Sequence, residues 1–213
     1  MKFDSKMLLL YAITDRTWVG KQTLMEQIEA ALQGGATILQ LREKELAEDA
    51  FIEEAKEVLA LCHRYQVPLI INDNLTVAKA VSADGIHVGM EDMDVASIRA
   101  QMGPDFIIGA TAKTVAQAKA AEAAGADYLG VGAVFPSPTK KTAIRITKEQ
   151  LNEICSSVSI PAVAIGGIQL ENMDELQGAK VHGMAVVSAV FGADDIKAAA
   201  KALREKIPML IMP

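Results

Sequence analysis

The segment Gln40-Leu41-Arg42-Glu43-Lys44 concentrates side chains able to grip an anion. It closes a β-like run from Thr37 to Arg42. Side chains alternate along an extended chain, so Gln40, Arg42 and Lys44 share one face while Leu39 and Leu41 share the other. The leucines want burial under helices. Cations on the opposite, inner face would each cost on the order of several kcal/mol unless something compensates them. An anion held at the mouth of the fold is one compensation. A solvated charge cluster opening a loop is the competing reading, and this segment alone does not separate the two.

Other residues add to the inventory. Asn72 and Asp73 follow one apolar run, and Asp92 follows the next. Carboxylate oxygens are hard ligands, and one or two of them together with substrate phosphates is the usual way to hold Mg²⁺. Helix capping, by Asp73 before Leu75 or by Asp92 before Val95, is the alternative for each. Thr111 ends a further run, and Ser137, Thr139, Lys140 and Lys141 fall in a loop around two prolines. Those lysines are either a solvated pair or cations that close over a diphosphate. Gly166-Gly167 exposes backbone amides at a helix start, which suits a phosphate; a tight turn needs the same residues. Val187-Ser188 follows the last strand-like run.

His87 lies inside a strand-like run and reads as a satisfied core or barrel-wall histidine, whereas His63 and His182 read as surface residues. Met25, Met90 and Met102 read as gap-fillers in the core. No Ser-His-Asp set or Cys-His pair presents itself for nucleophilic catalysis.

The elements that must position these residues follow from periodicity. Strand-like runs alternate with helix-like runs along the whole chain. The strands are expected near Leu8–Thr14, Thr37–Arg42, Leu69–Ile71, Gly85–Gly89, Phe106–Thr111, Tyr128–Val134, Ala162–Ile165 and Gly183–Ser188. The helices are expected near Gln22–Leu32, Leu46–Tyr65, Leu75–Val81, Val95–Gln101, Val115–Ala124 and Lys148–Ser156, with a seventh before the last strand and an eighth at Asp194–Lys206. Thr147 is the expected cap of the sixth. Several strands are near-continuously apolar, which marks parallel strands covered by helices. Eight βα units without a linker predict a single-domain α/β fold over residues 1–213, a (β/α)8 TIM barrel. A doubly wound open sheet is the alternative, but no Gly-x-Gly-x-x-Gly follows the first strand. In such barrels the active site lies at the C-terminal ends of the strands, where all the polar residues above are placed.

Composition excludes some functions. A net charge of -6 argues against general nucleic-acid binding, which needs a basic footprint. The run Leu8–Ile13 is far shorter than the ~20 apolar residues of a membrane span. Cys62 and Cys155 lack metal-ligand spacing and read as reduced packing residues, and together with the absence of a signal-peptide layout they predict a cytoplasmic protein. The apolar tail from Ile207 to Met212 packs either on the barrel or across a homo-oligomer.

The polar residues divide into two anion sites. One is built from backbone and neutral groups, for a monophosphate. The other combines cations with a metal, for a diphosphate that would serve as a leaving group.

Six segments, taken in order, resemble thiamine-phosphate synthase: Gln40-x-Arg42-x-Lys44, Asn72-Asp73, His87-Val88-Gly89-x-x-Asp92, Pro136-Ser137-x-Thr139-Lys140-Lys141, Ala164-Ile165-Gly166-Gly167-Ile168 and Val187-Ser188-Ala189. The resemblance implies a transferase that joins 4-amino-5-hydroxymethyl-2-methylpyrimidine diphosphate to a thiazole phosphate, releasing diphosphate. It implies that Gln40, Arg42, Lys44, Asn72, Thr111 and Lys140 contact the pyrimidine diphosphate, with Arg42, Lys44, Thr111 and Lys140 acting on the leaving group. It assigns Asp73 and Asp92 to Mg²⁺, and Ser137, Thr139, Gly167, Val187 and Ser188 to the thiazole phosphate. The implied mechanism is dissociative, through a pyrimidine carbocation captured by the thiazole nitrogen. Three positions depart from the family pattern: Thr111 where serine is frequent, Met90 where glutamine is, and Lys113 where histidine is. Lys113 reads from the sequence as a surface lysine at a helix start. Rival readings are a thiazole tautomerase on the same barrel, a non-catalytic thiazole-phosphate binder, and an unrelated phosphate-barrel isomerase or Schiff-base aldolase. The full set of charged residues disfavours the first two, and the lack of a strand-buried lysine disfavours the third.

Overall fold

A computed structural model describes residues 2–20, 22–89, 94–136 and 145–212. Its strands β1 (Leu10–Ile13), β2 (Ile38–Leu41), β3 (Leu69–Asn72), β4 (Gly85–Val88), β5 (Ile107–Ala112), β6 (Tyr128–Gly132), β7 (Ala162–Ile165) and β8 (Gly183–Val186) close into one barrel in sequential order. Every neighbouring pair is parallel, including β8 against β1 with Tyr11 opposite Ala185.

The helices are α1 (Leu24–Gln33), α2 (Glu48–Arg64), α3 (Leu75–Val81), α4 (Val95–Met102), α5 (Val115–Ala123), α6 (Lys148–Ser156), α7 (Ser188–Phe191) and α8 (Ile196–Lys206). Their starts are locally encoded. Thr23 with Glu26 and Thr147 with Gln150 form reciprocal capping boxes, so each pair satisfies amides that the first turn leaves open. Asn74 caps α3, which removes the capping alternative for Asp73, and Asp94 caps α4, while Asp92 lies outside the described residues.

The eight-strand barrel is as the sequence predicts, with two differences in its helices. No α-helix lies between β7 and β8; a 3₁₀ turn at Met173–Leu176 makes the connection. Asn172 explains this, because its side chain donates to Gly167 O at 2.9 Å and accepts from Gln169 N at 2.9 Å, a local alternative to helical bonding. The short α7 then follows β8 directly, and the last helix begins after its cap Asp195 rather than at Asp194.

The strands alternate as read. Outward residues such as Leu39, Leu41, Ile71 and Leu129 join the large core beneath the helices. Inward residues form a separate cluster with Tyr11, Ile13, Ile38, Ile70, Ile107, Tyr128 and Val163 filling the lumen. Phe3 reaches into this cluster and stacks on Tyr128 with ring centroids 5.9 Å apart. The lower lumen is therefore packed with side chains, and open space begins only toward the C-terminal rim.

The tail belongs to its own barrel. Ile207 and Leu210 are buried, and Ile211 bridges Ala179 just ahead of β8. Met212 N donates to Ala179 O at 2.8 Å. Both cysteines are free thiols, Cys62 buried and Cys155 partly so, and burial pushes each thiol pKa up to about 12. Met25 and Met102 pack against the core, while Met90 lies outside the described residues. Among the described residues no helix is long and apolar enough to cross a membrane.

Candidate active site

A cavity opens at the C-terminal ends of the strands. Gln40, Arg42, Asn72, Thr111, Gly167, Val187 and Ser188 all line it, although they come from five different strands or the loops after them. Lys44 and Asp73 sit beside this lining rather than in it, paired to each other with Nζ 2.8 Å from Oδ2. Asp92, Ser137, Thr139, Lys140 and Lys141 lie outside the described residues.

Arg42 and Lys44 each have a carboxylate partner that the sequence does not reveal. Arg42 Nη1 donates to Asp15 Oδ2 at 2.8 Å, and Arg42 N donates to the Thr14 hydroxyl at 3.0 Å. Asp15 in turn accepts from Thr17 N at 2.9 Å. The guanidinium is thereby oriented before any ligand arrives, which lowers the ordering cost of binding. Arg16 next to it donates to Glu43 at 2.7 Å and also to Glu54, tying the loop after β1 to β2 and α2. Burial raises the Glu43 pKa, an effect opposed by Arg16. Lys113 also lines the cavity, so it is not the surface lysine the sequence suggested.

Asp73 adopts a left-handed backbone, φ 61°, immediately after β3. Aspartate is among the few residues that visit this region, at a cost of about 1 kcal/mol or more. Its carboxylate accepts from Lys44 and from Asn72 Nδ2. A hard carboxylate at the rim, flanked by a lysine and an amide, is a donor of the kind Mg²⁺ takes. Among the described residues no cluster of three or more His, Cys, Asp or Glu side chains could bind a metal unaided. A metal here would need substrate oxygens or residues outside that set.

On the opposite side of the mouth, Gly166 and Gly167 have φ values of 102° and 66°. A Cβ on Gly167 would fall 2.1 Å from Pro136 O, so this turn accepts only glycine. Gln169 Nε2 donates to Ser188 Oγ at 2.7 Å, joining the turn after β7 to the start of α7. Among the described residues the turn at this pole carries no charged side chain, in contrast to the side of Arg42 and Lys44.

The floor contains His87, buried and hydrogen-bonded as the sequence reading has it, and two tyrosines whose meeting that reading missed. His87 lines the cavity and contacts Thr111, with Nε2 3.1 Å from Oγ1. Burial lowers its pKa to about 4, offset in part by Asp73, so the imidazole is neutral at physiological pH. Tyr11 and Tyr128 meet hydroxyl to hydroxyl at 2.7 Å inside the barrel. Gly109 makes room for them, since a Cβ there would lie 2.1 Å from the Tyr128 ring. The alternation rule does point all three side chains inward; what it lacks is the partner across the lumen. His182, read as a surface residue, is half-buried, and its Nδ1 accepts from Ala162 N at 3.4 Å.

Residues 10–190 match the family model for thiamine monophosphate synthase. The chain is 44% identical over 200 residues to thiamine-phosphate synthase 2 of Streptococcus pneumoniae, covering 94% of this chain and 95% of the relative. It is 43% identical over 194 residues to thiamine-phosphate synthase of Clostridium tetani, covering 91% and 93%. The chain belongs to the thiamine-phosphate synthase family. It is a transferase of thiamine biosynthesis. The solved thiamine phosphate pyrophosphorylase from Pyrococcus furiosus superimposes with a TM-score of 0.88 at 39% identity, covering 97% of this chain and 98% of that one. A structure titled KGPDC from Streptococcus mutans shares the fold alone, with a TM-score of 0.65 at 15% identity.

Proposed function

We propose that this synthase condenses 4-amino-5-hydroxymethyl-2-methylpyrimidine diphosphate with 4-methyl-5-(2-phosphooxyethyl)thiazole, in a Mg²⁺-dependent reaction yielding thiamine phosphate and diphosphate. The observation that carries this reading is one cavity with two unlike poles. Arg42, Lys44 and Asn72 gather at or beside one, and Gly167, Val187 and Ser188 form the other.

The cationic pole suits the diphosphate, and Lys140 would join it from the loop after β6. Asn72 offers a neutral hydrogen bond beside the cations, and Thr111 offers one on the cavity wall. The glycine pole suits the thiazole phosphate, which Ser137 and Thr139 would also reach. Asp73 and Asp92 would hold Mg²⁺, which supplies neutralisation of charge developing on the departing diphosphate. Arg42 contributes the same kind of stabilisation from a position already fixed by Asp15. The scissile C–O bond breaks first, its electrons leave with the diphosphate, and the aminopyrimidine ring delocalises the resulting carbocation. The thiazole nitrogen lone pair then forms the new C–N bond. The protein holds both reactants in line and needs no covalent enzyme intermediate.

The test supplies both substrates with Mg²⁺ and follows diphosphate and thiamine phosphate together. Equal amounts of both products, lost on chelation and restored by Mg²⁺, are expected. Diphosphate release without thiamine phosphate, or turnover indifferent to chelator, would overturn the reading. Asp73→Asn should lower kcat/KM by about a hundredfold or more, with an unchanged circular dichroism spectrum.

A further inference from the structure

Five side chains from β1, β2, β4, β5 and β6 form a continuous hydrogen-bonded chain across the barrel. Gln40 Nε2 lies 2.8 Å from the Tyr11 hydroxyl, which lies 2.7 Å from that of Tyr128. Tyr128 OH is 3.2 Å from His87 Nδ1, and His87 Nε2 is 3.1 Å from Thr111 Oγ1. The inner members are buried, and the two ends, Gln40 and Thr111, line the cavity.

Valence restricts how the protons can lie. A phenol has one proton to donate, and a neutral imidazole has one N–H and one lone pair. Tyr11 and Tyr128 stay protonated because burial raises both pKa values, and the buried His87 ring has a hydroxyl, not a carboxylate, against each nitrogen, an environment for a neutral imidazole. Each inner member has two neighbours, and a phenol that accepted from both would leave its own buried proton unpaired at a cost in free energy, so the favoured arrangement donates to one and accepts from the other. The chain therefore runs in one direction or in the reverse.

In the forward direction Gln40 donates to Tyr11, Tyr11 to Tyr128, Tyr128 to His87 Nδ1, and His87 Nε2–H to Thr111. Thr111 then keeps its own proton for a ligand, and Gln40 turns its carbonyl oxygen to the cavity. In reverse, Thr111 donates inward and offers a ligand only lone pairs, while Gln40 presents its amino group. A donor at one end requires an acceptor at the other.

We propose that this relay makes Gln40 and Thr111 a coupled reader, which selects a heteroaromatic ring bearing an exocyclic amine whenever an anionic oxygen occupies Thr111. The inference rests on the pyrimidine diphosphate reading above. A diphosphate oxygen demands a donor from Thr111 and so imposes the forward direction. Gln40 then shows a carbonyl, which accepts from a ring amine and opposes a ring carbonyl. An unconnected Gln40 would exchange its amide oxygen and nitrogen with little loss, because the two ends are nearly the same shape. Tyr11, Tyr128 and His87 are positioning residues in this scheme, since they act through Gln40 and Thr111.

The experiment compares kcat/KM for the 4-amino pyrimidine diphosphate and its 4-oxo analogue in wild type, Tyr128→Phe and Tyr11→Phe. Both substitutions keep the ring, and with it the packing, while cutting the chain at two different links. Wild type should prefer the amine by about a hundredfold or more. Both variants should lose about tenfold or more of that preference by accepting the oxo ring better, with KM for the thiazole phosphate unchanged. A purely structural role would weaken both rings equally and preserve the ratio, and that result overturns the relay. Absence of turnover in wild type would overturn the parent reading as well; an unchanged ratio in a working enzyme overturns the relay alone.

Discussion

Lys113 shows how the charge of a single side chain acquires meaning from its neighbours. Arg42 is matched by Asp15 and Lys44 by Asp73, whereas Lys113 has no carboxylate within ion-pair distance among the described residues. A cation facing a cavity without an internal counter-charge is available to a substrate anion. Lys113→Ala should raise KM for the pyrimidine diphosphate by about tenfold, the order of one charge-assisted hydrogen bond, and leave KM for the thiazole phosphate within about twofold. Steady-state kinetics with each substrate varied in turn reads both. Gln40 and Arg42 were legible in the sequence because strand alternation alone points them inward. Asp15 was equally close to a strand end, yet its significance comes from the guanidinium it holds, 27 positions away.

Among the elements, the C-terminal turn from Ile207 to Met209 and the residues after it act as a strap against the segment that enters β8 at the N-terminal end of the strands. Gly178 N donates to Leu210 O at 2.7 Å, and Leu210 is buried while Met209 is 76% exposed. Leu210→Ala should therefore cost about 2–3 kcal/mol in urea unfolding, and Met209→Ala less than about 0.5 kcal/mol. Neither should alter substrate KM, because the strap and the cavity lie at opposite ends of the strands. Element type was legible wherever a local signal sufficed. The bounds of α3 and α6 and of β7 coincide with the sequence reading, since caps and flanking prolines mark them. The link between β7 and β8 was not legible, because a helical pattern and a 3₁₀ turn pinned by Asn172 differ only in side-chain-to-backbone bonds.

The closed barrel as a whole buries a histidine that the unfolded chain exposes. Its ordinary pKa of 6.5 falls to about 4 on folding, chiefly through burial. Between these values the unfolded chain binds the extra proton, so stability is full above pH 6.5 and falls as pH drops toward 4, by about 3 kcal/mol in total. Urea midpoints at pH 7 and pH 4.5 should differ more for the wild type than for His87→Gln, with the carboxylates contributing alike to both. Identical differences would show that neutral His87 carries none of the acid sensitivity.

By itself, the sequence determined the eight-fold alternation of strands and helices and the placing of polar residues at strand ends. Both follow from periods of two and 3.6 residues and from caps, which are properties of neighbouring positions. Only the tertiary structure decided which charges neutralise one another and that Tyr11 meets Tyr128 across 117 residues of chain. The ion pairs join the ends of neighbouring strands, and the tyrosine contact exists because closure makes β1 and β6 face each other over the lumen; neither pairing is encoded in a local pattern.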